Sequence, residues 1–406
     1  MIRLLHISDI HLNTGFASKE RVVREQLKEG LMKSFENAIH YALGEAVDGV
    51  IIAGDFLDNG KVSYKMEQDI LNLMEQLLKA EKHVFYATGN HDPMNTLQIL
   101  NRLETNPYFH CFEDDDIKHI CVEMKSGEWL EVVGCGHKSK NEKRNLIREF
   151  PRKNNDNLWI GIGHASVPSA LSVGAKEQYM AVSLSEIESL KYDYFALGHI
   201  HIQQRLSERV AYSGNIQGLN YKEIGHKGGY LIKLDGDRIE MESLCFNEVQ
   251  WEAFDFELDE SHETLSQLES ELTTFVSEQI ADIKKSANQL VVRVNLEGRS
   301  SLAHSLREVE NTLYLEACLK RIVGLLNVDI KLMSVNSLLD MEMILSEKTV
   351  LSEALSVTRH VEAHEDLINR LLALPIYNGR DNKKEVLQKI LETAEEELID
   401  CFVRGK

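Results

Sequence analysis

No apolar run in this chain approaches the roughly 20 residues that a helix needs to cross a bilayer, so no membrane-spanning segment is expected. The opening residues carry no basic segment followed by an apolar core and a small-residue cleavage site, and no secretory leader is expected there. Cysteine is sparse: Cys111, Cys121, Cys135, Cys245, Cys318 and Cys401 are scattered, with no C-x-x-C pair. That pattern argues against a zinc ribbon or a disulfide framework and fits reduced thiols in a cytoplasmic protein. Five prolines and no biased tract leave little room for a long disordered linker. Positive charge is also short, with 45 Lys and Arg against 65 Asp and Glu and a net charge of -20. This argues against a protein that holds nucleic acid mainly by a global positive field, because phosphate neutralisation needs clustered cations; it does not exclude local contacts or bound cations.

What is present is a globular composition, 43% hydrophobic and 27% charged, over 406 residues. That length exceeds the size at which single cores stop growing, so two or three domains are expected. Arg3 to Ser8, Asp48 to Ala53 and His83 to Ala87 read as buried strands, separated by helical patterns over Arg21 to Leu43 and Tyr64 to Leu78. Shorter strands follow at Phe109 to Glu113, Lys118 to Met124 and Trp129 to Cys135. Further strands are expected at Leu158 to Gly163, Tyr192 to Leu197, Val210 to Ser213, Gly229 to Leu234 and Ile239 to Leu244. This alternation predicts an α/β fold with a two-layer sheet core flanked by helices. Composition shifts near Phe246. Residues 247–335 read as a small α+β module, with strands at Leu290 to Leu296 and Val328 to Val335, and residues 336–406 as helices broken at Pro375 and Gly379.

The polar residues that matter collect where apolar strands run out. Asp9 and His11 end the first strand, where an extended backbone would project both the same way. Asp55 follows the second strand, Asn90 and His91 the third, His164 a later one, and His199 and His201 the strand after that; most adjoin a glycine. Setting His91 apart leaves seven donor-type residues, more than one ion needs. Two ions roughly 3.5–4 Å apart that share a carboxylate would use them all, and such a pair clamps both oxygens of an in-line phosphoryl displacement.

The ordered set Asp9-x-His11, Gly54-Asp55-x-x-Asp58, Gly89-Asn90-His91-Asp92, Gly163-His164 and Gly198-His199-x-His201 resembles the five-part signature of the calcineurin-like metallophosphoesterases. Within that superfamily the chain resembles the SbcD-type DNA-repair exonucleases and their YhaO branch. The opening Leu5 to Leu12, the turn Tyr212-Ser213-Gly214-Asn215, the run Gly228-Gly229-Tyr230-Leu231 and the added C-terminal modules carry that closer likeness. The resemblance is specific over about residues 1–240 and loose beyond. It implies one ion on Asp9, His11 and His201, a second on Asn90, His164 and His199, and Asp55 bridging. Manganese suits these mixed oxygen and imidazole donors best. A water of lowered pKa would be the nucleophile. His91 would act as general acid, oriented by Asp58, although some nucleases of the wider family carry a histidine in Asp58's place. For Asp58 the alternative is a turn-forming loop acid.

The implied function is a DNA exonuclease or single-strand endonuclease in repair, working as a homodimer with an SbcC-like coiled-coil ATPase. Residues 1–246 would be the nuclease domain, 247–335 a cap guiding DNA, and 336–406 the docking region. Apolar positions such as Leu367, Leu371, Leu374, Leu387, Ile390, Leu391 and Leu398 would dock on the ATPase or pack within the chain. The competing functions are a phosphatase or cyclic-nucleotide phosphodiesterase, and a binding subunit of weak catalysis. His6 is expected to pack rather than coordinate. His137 either reaches substrate or sits in a solvated loop. The basic run Lys138 to Lys153 either contacts phosphates or is a solvated face, with Lys222 and Lys227 as weaker phosphate candidates.

Overall fold

The apolar runs become strands whose two faces are both covered. β1 (Ile2–Ile7), β2 (Gly49–Ala53) and β3 (His83–Ala87) are buried along nearly their whole length, as parallel strands between two packing layers must be. They lie side by side in parallel register, Leu5 opposite Val50 and Val50 opposite Val84. The crossovers are helical. α1 (Arg21–Gly44) buries Leu27, Leu31, Phe35 and Ile39, and α2 (Tyr64–Lys79) buries Ile70, Met74 and Leu77. The Ser63 hydroxyl accepts from the Met66 N–H at 3.2 Å and so starts α2. This computed structural model describes residues 1–406 except 59–61, 95, 97, 169–177, 286–287, 339–348, 362–364, 375, 377–381, 384, 392–393, 395–397 and 399–406.

β4 (Phe109–Phe112) extends the first sheet. β5 (Lys118–Glu123), β6 (Trp129–Gly134), β7 (Leu158–His164), β8 (Tyr194–Gly198), β9 (Gln204–Arg205) and β10 (Val210–Tyr212) build a second. β11 (Gly228–Asp235) and β12 (Arg238–Cys245) return to the first. The strand orders are β12-β11-β1-β2-β3-β4 and β5-β6-β7-β8-β10-β9. One buried cluster joins Ile51, Phe85 and Phe112 of the first sheet to Ile160, Ile162 and Tyr194 of the second. The sheets therefore face each other across a shared core, in which each large apolar side chain contributes about 1.5–3 kcal/mol. Trp159, Phe195 and Tyr192 lie in a second cluster with Ile187 of α3 (Leu184–Ser189), which covers the second sheet. The fold is thus α/β, a two-layer β-sandwich flanked by helices.

By contact the chain divides into two units, Met1–Glu252 with Ala281–Val291, and Ala253–Ile280 with Val292–Lys406. A three-stranded sheet runs β13 (Val249–Leu258), β14 (Gln289–Arg299) and β15 (Asn327–Asn336) in that order. In the second unit α6 (Val309–Val323) packs on α4 (Leu265–Ile280) and on the short α5 (Ala303–Arg307). Helices Val350–His360 and Glu365–Leu372 follow. Pro375, Gly379 and much of 384–402 lie outside the described residues. No helix among the described residues is long and apolar enough to cross a membrane. Three elements escape the periodicity of the sequence, the two-residue β9 among them. α3 starts on a capping box, Ser183 with Glu186, whose S-x-x-E signal is present. β13 hides in the acid-rich stretch, where acids alternate with Phe254, Phe256 and Leu258.

Candidate metal centre

Parallel pairing sends the carboxyl ends of β1, β2 and β3 to one edge of their sheet, and those of β7 and β8 to one edge of theirs. All five motifs sit at these ends. His164 ties the two layers there, its Nδ1–H donating to the Ala53 carbonyl at 2.9 Å.

The backbone at the site is not extended. β1 stops at Ile7, and Asp9, His11 and Asp55 each adopt φ 50, with His199 at φ 101. Asp9 and His11 therefore converge through left-handed turns and not through strand alternation. Such turns cost about 1–3 kcal/mol each at a non-glycine residue, and the surrounding bonds must hold them. The loop after β1 runs beside the loop after β2. Asp9 N–H donates to Gly54 O at 3.1 Å, His11 N–H to Asp55 O at 3.0 Å and Leu12 N–H to Phe56 O at 3.0 Å.

Asp92 braces the next loop. It is wholly buried and accepts from the backbone N–H groups of Asp55 (3.2 Å), Phe56 (2.6 Å) and Gly89 (2.7 Å) and from the Tyr86 hydroxyl (2.7 Å). Burial, then the Asp55 charge, push its carboxyl up to about 6. The glycines are needed for close approach. A Cβ at Gly89 would stand 2.1 Å from Asp55 Oδ1, and one at Gly54 2.2 Å from His164 Nδ1.

The donors then meet in two sets. His11 Nε2 lies 3.0 Å from His201 Nε2 and 3.7 Å from Asp55 Oδ2, and His201 Nε2 lies 3.8 Å from Asp9 Oδ1. His164 Nε2 lies 3.0 Å from Asn90 Oδ1 and 3.2 Å from the same Asp55 Oδ2. His199 joins through its backbone N–H, which donates to both Asp9 oxygens at 3.1 Å, while its ring sits edge-on to His164 at 5.4 Å. The potential ligand atoms of Asp9, His11 and His201 lie within 4.8 Å of one another, as do those of Asp9, Asp55 and His164.

The donors fit divalent ions. His201 Nδ1–H donates to Glu223 Oε1 at 2.9 Å, so in the neutral ring, the form that binds a metal, Nε2 carries the lone pair, and the Ala53 carbonyl fixes His164 in the same way. Two nitrogens about 2.1 Å from one ion, at a right angle, lie about 3.0 Å apart, which is the separation of His11 Nε2 and His201 Nε2. In the metal-free chain burial disfavours the His164 cation, but Asp55 overcomes this and raises it to about 9. Burial would likewise raise Asp55; His164, His11 and His91 instead hold it well below the usual carboxylate range.

His91 faces outward, its side chain 43% exposed, and its Nδ1 lies 3.0 Å from Asp58 Oδ1. Its backbone N–H donates to Asp55 Oδ1 at 2.8 Å. Hydrogen bonding to Asp58 raises the imidazole to about 9, against the opposing effect of burial. Asp58 in turn is held low by His11, whose Nδ1 is 3.6 Å away, and by His91.

Other sequence expectations separate. His6 packs, its Nδ1 2.7 Å from the Tyr194 hydroxyl. His137 neither reaches substrate nor sits in a solvated loop. It is 0% exposed, its Nε2–H donates to the His164 carbonyl at 2.7 Å, and burial lowers it to about 4. In the basic run Arg144 pairs with Asp115 (2.7 Å) and Glu142 (2.6 Å), and Lys138 with Asp115 (3.1 Å), so part of its charge is internally matched. Lys227 lines a cleft of about 820 Å³ that also touches His201, Asn215, His40 and Tyr41. Sequence reasoning misses the roles of Glu223 and Asp92. Asp92 stands within the Gly-Asn-His-Asp motif, a signal that could have found it, whereas nothing local marks Glu223.

Comparison with known proteins agrees with this geometry. The calcineurin-like phosphoesterase family model matches residues 2–203. Residues 2–203 belong to the calcineurin-like phosphoesterase family. The protein is accordingly a metal-dependent phosphoesterase. The uncharacterized metallophosphoesterase YhaO of Bacillus subtilis is 24% identical over 303 residues, covering 73% of this chain and 72% of its own. The DNA double-strand break repair protein Mre11 of Aeropyrum pernix is 26% identical over 254 residues, 58% of this phosphoesterase and 59% of its own. That of Methanopyrus kandleri is 24% identical over 278 residues, 62% and 57%. The match thus spans less than two thirds of these two repair proteins.

Proposed function

We propose that this phosphoesterase is a two-metal DNA nuclease, a 3′ to 5′ exonuclease or single-strand endonuclease of DNA repair. The reading continues to a homodimer in the cytoplasm, served by a coiled-coil ATPase on the C-terminal helices. The observation that carries the chemistry is the sharing of Asp55 Oδ2 between two donor sets, beside an outward-facing His91 paired to Asp58. Asp9, His11 and His201 would hold the first ion, and Asn90, His164 and His199 the second, with Asp55 between them. The ions, manganese by donor type, supply neutralisation of phosphate charge and a water activated as nucleophile. His91 would give a proton to the leaving oxygen, and Asp58, 3.0 Å from its Nδ1, would keep that proton in place. The Mre11 likeness supports DNA as substrate. The cleft at His201 and Lys227 gives a strand a place to lie.

The test is purified protein with manganese on labelled duplex and single-stranded DNA, beside nitrophenyl phosphate esters and cyclic nucleotides. DNA cleavage should occur and fall about 10²–10⁴-fold in His91→Ala, the usual worth of a positioned acid. Turnover of small esters without DNA cleavage would make the protein a phosphatase or cyclic-nucleotide phosphodiesterase. Metal binding without turnover would make it a binding subunit.

A further inference from the structure

We infer that Glu223 is the positioning residue of the first ion's site, fixing His201 through its carboxylate and making that site the tighter of the two. The inference rests on the two-ion reading above. Glu223 is 22 residues from His201 in sequence, and its side chain is only 14% exposed. Oε1 accepts from His201 Nδ1 at 2.9 Å and from Asn220 Nδ2 at 3.2 Å. Oε2 accepts from Asn215 Nδ2 at 2.7 Å and from the Leu219 N–H at 2.9 Å. Both oxygens are thus occupied by donors, so the carboxylate is a fixed support and not a mobile ligand. Asn215 is itself anchored to the first strand's end by a bridge to Ser8.

The two imidazole ligands that define the sets are supported differently. Behind His164 stands a neutral carbonyl, that of Ala53, at 2.9 Å. Behind His201 stands a carboxylate. A carboxylate on the far nitrogen fixes the tautomer and raises the basicity of the nitrogen that faces the metal. The charges follow the same asymmetry. Apart from the shared Asp55, the first set has Asp9, with Glu223 behind His201 and Asp58 3.6 Å from His11 Nδ1, while the second has Asn90, His164 and His199 as its other donors. The first ion therefore meets more carboxylate charge than the second and should be retained longer on dilution or chelation.

The test is metal binding with no substrate present. Wild type and Glu223→Gln are stripped, titrated with manganese by calorimetry, assayed for metal content and followed by electron paramagnetic resonance. Wild type should take two ions of unequal affinity. Glu223→Gln keeps the side chain's shape and should lose about 10–100-fold at the tighter site, in line with the loss of other outer carboxylate partners, with the weaker site unchanged. The spin-coupled manganese pair should then form only at higher manganese. Retention of both wild-type affinities in the variant overturns the assignment. An independent measurement on wild type alone is nitrogen NMR of imidazole-labelled, zinc-loaded protein. A protected Nδ1–H on His201 is expected, and coordination through Nδ1 overturns the proposal even if the variant misfolds. Should wild type take fewer than two ions, the two-ion reading itself falls; two ions in wild type with no change in the variant sink Glu223's role alone.

Discussion

Replacing Asp58 by Asn removes one negative charge 3.0 Å from His91 Nδ1 and leaves the side chain's size unchanged. With Asp58 present the His91 imidazole is raised from 6.5 to about 9. The raised value means that the charged, proton-donating form persists through neutral pH and is lost only as pH rises through about 9. In Asp58→Asn that loss should move back toward 6.5, with Asp55 still exerting some upward pull. At pH 8 the protonated fraction would fall from about nine tenths to about three hundredths, a factor of about 30. Because the ring is 43% exposed, solvent screening trims the effect, and a loss of about 10–30-fold is expected at pH 8. At pH 6 the loss should be small. Bound cations lower His91 in both proteins alike, so the displacement between the two profiles survives even where the absolute values move. The assay is kcat against pH from 5.5 to 9.5 on a small phosphodiester with manganese saturating. An alkaline limb in Asp58→Asn that superimposes on wild type, or a loss that is the same at every pH, would refute the dyad.

Three further outcomes can be checked on the metal-free chain. Gly89→Ala places a Cβ 2.1 Å from Asp55 Oδ1 and 2.5 Å from its backbone nitrogen; it should cost about 1–3 kcal/mol in urea unfolding and reduce manganese uptake, and unchanged stability with full uptake would contradict the close packing. Asp92→Asn turns an NH2 donor toward backbone N–H groups that need an acceptor, leaving at least one of them unpaired; a loss of about 2–5 kcal/mol is expected from buried unsatisfied groups, read from denaturant midpoints. Because Asp55 raises His164 to about 9 in the folded chain, the pair's stabilisation is complete below about 6.5 and disappears as pH rises through about 9. The urea midpoint of chelator-treated protein should fall across that window and become flatter when manganese is added; an equal slope in both would show that His164 does not face a shared anionic site.

Much of this protein is legible along its chain. The runs around Val50, Val84, Ile160 and Phe195 are continuous apolar segments bounded by glycine or polar residues, and burial on both faces makes them strands wherever they occur. Polar residues that end such runs in an α/β order collect at one rim, which is why the order of strands alone gathers Asp9, Asp55, Asn90, His164 and His201 into one group. β13 is not legible because Asp255 and Glu257 belong to an exposed strand face, and α3 is not because a six-residue helix shows little periodicity.

The sequence by itself determined the donor types, their order and the strand ends that carry them, because strand periodicity and the chemistry of a side chain are local properties. Tertiary structure alone decided how they meet. The left-handed turns at Asp9 and His11 exist only because the loop after β1 pairs with the loop after β2. His11 faces His201 across 190 residues, and Asp55 faces His164 only when the two sheets close on one core. His137 and Glu223 carry no local mark of their roles, since a hydrogen bond to a distant carbonyl or imidazole is fixed by where the sheets place its partner, and no pattern along the chain encodes that distance.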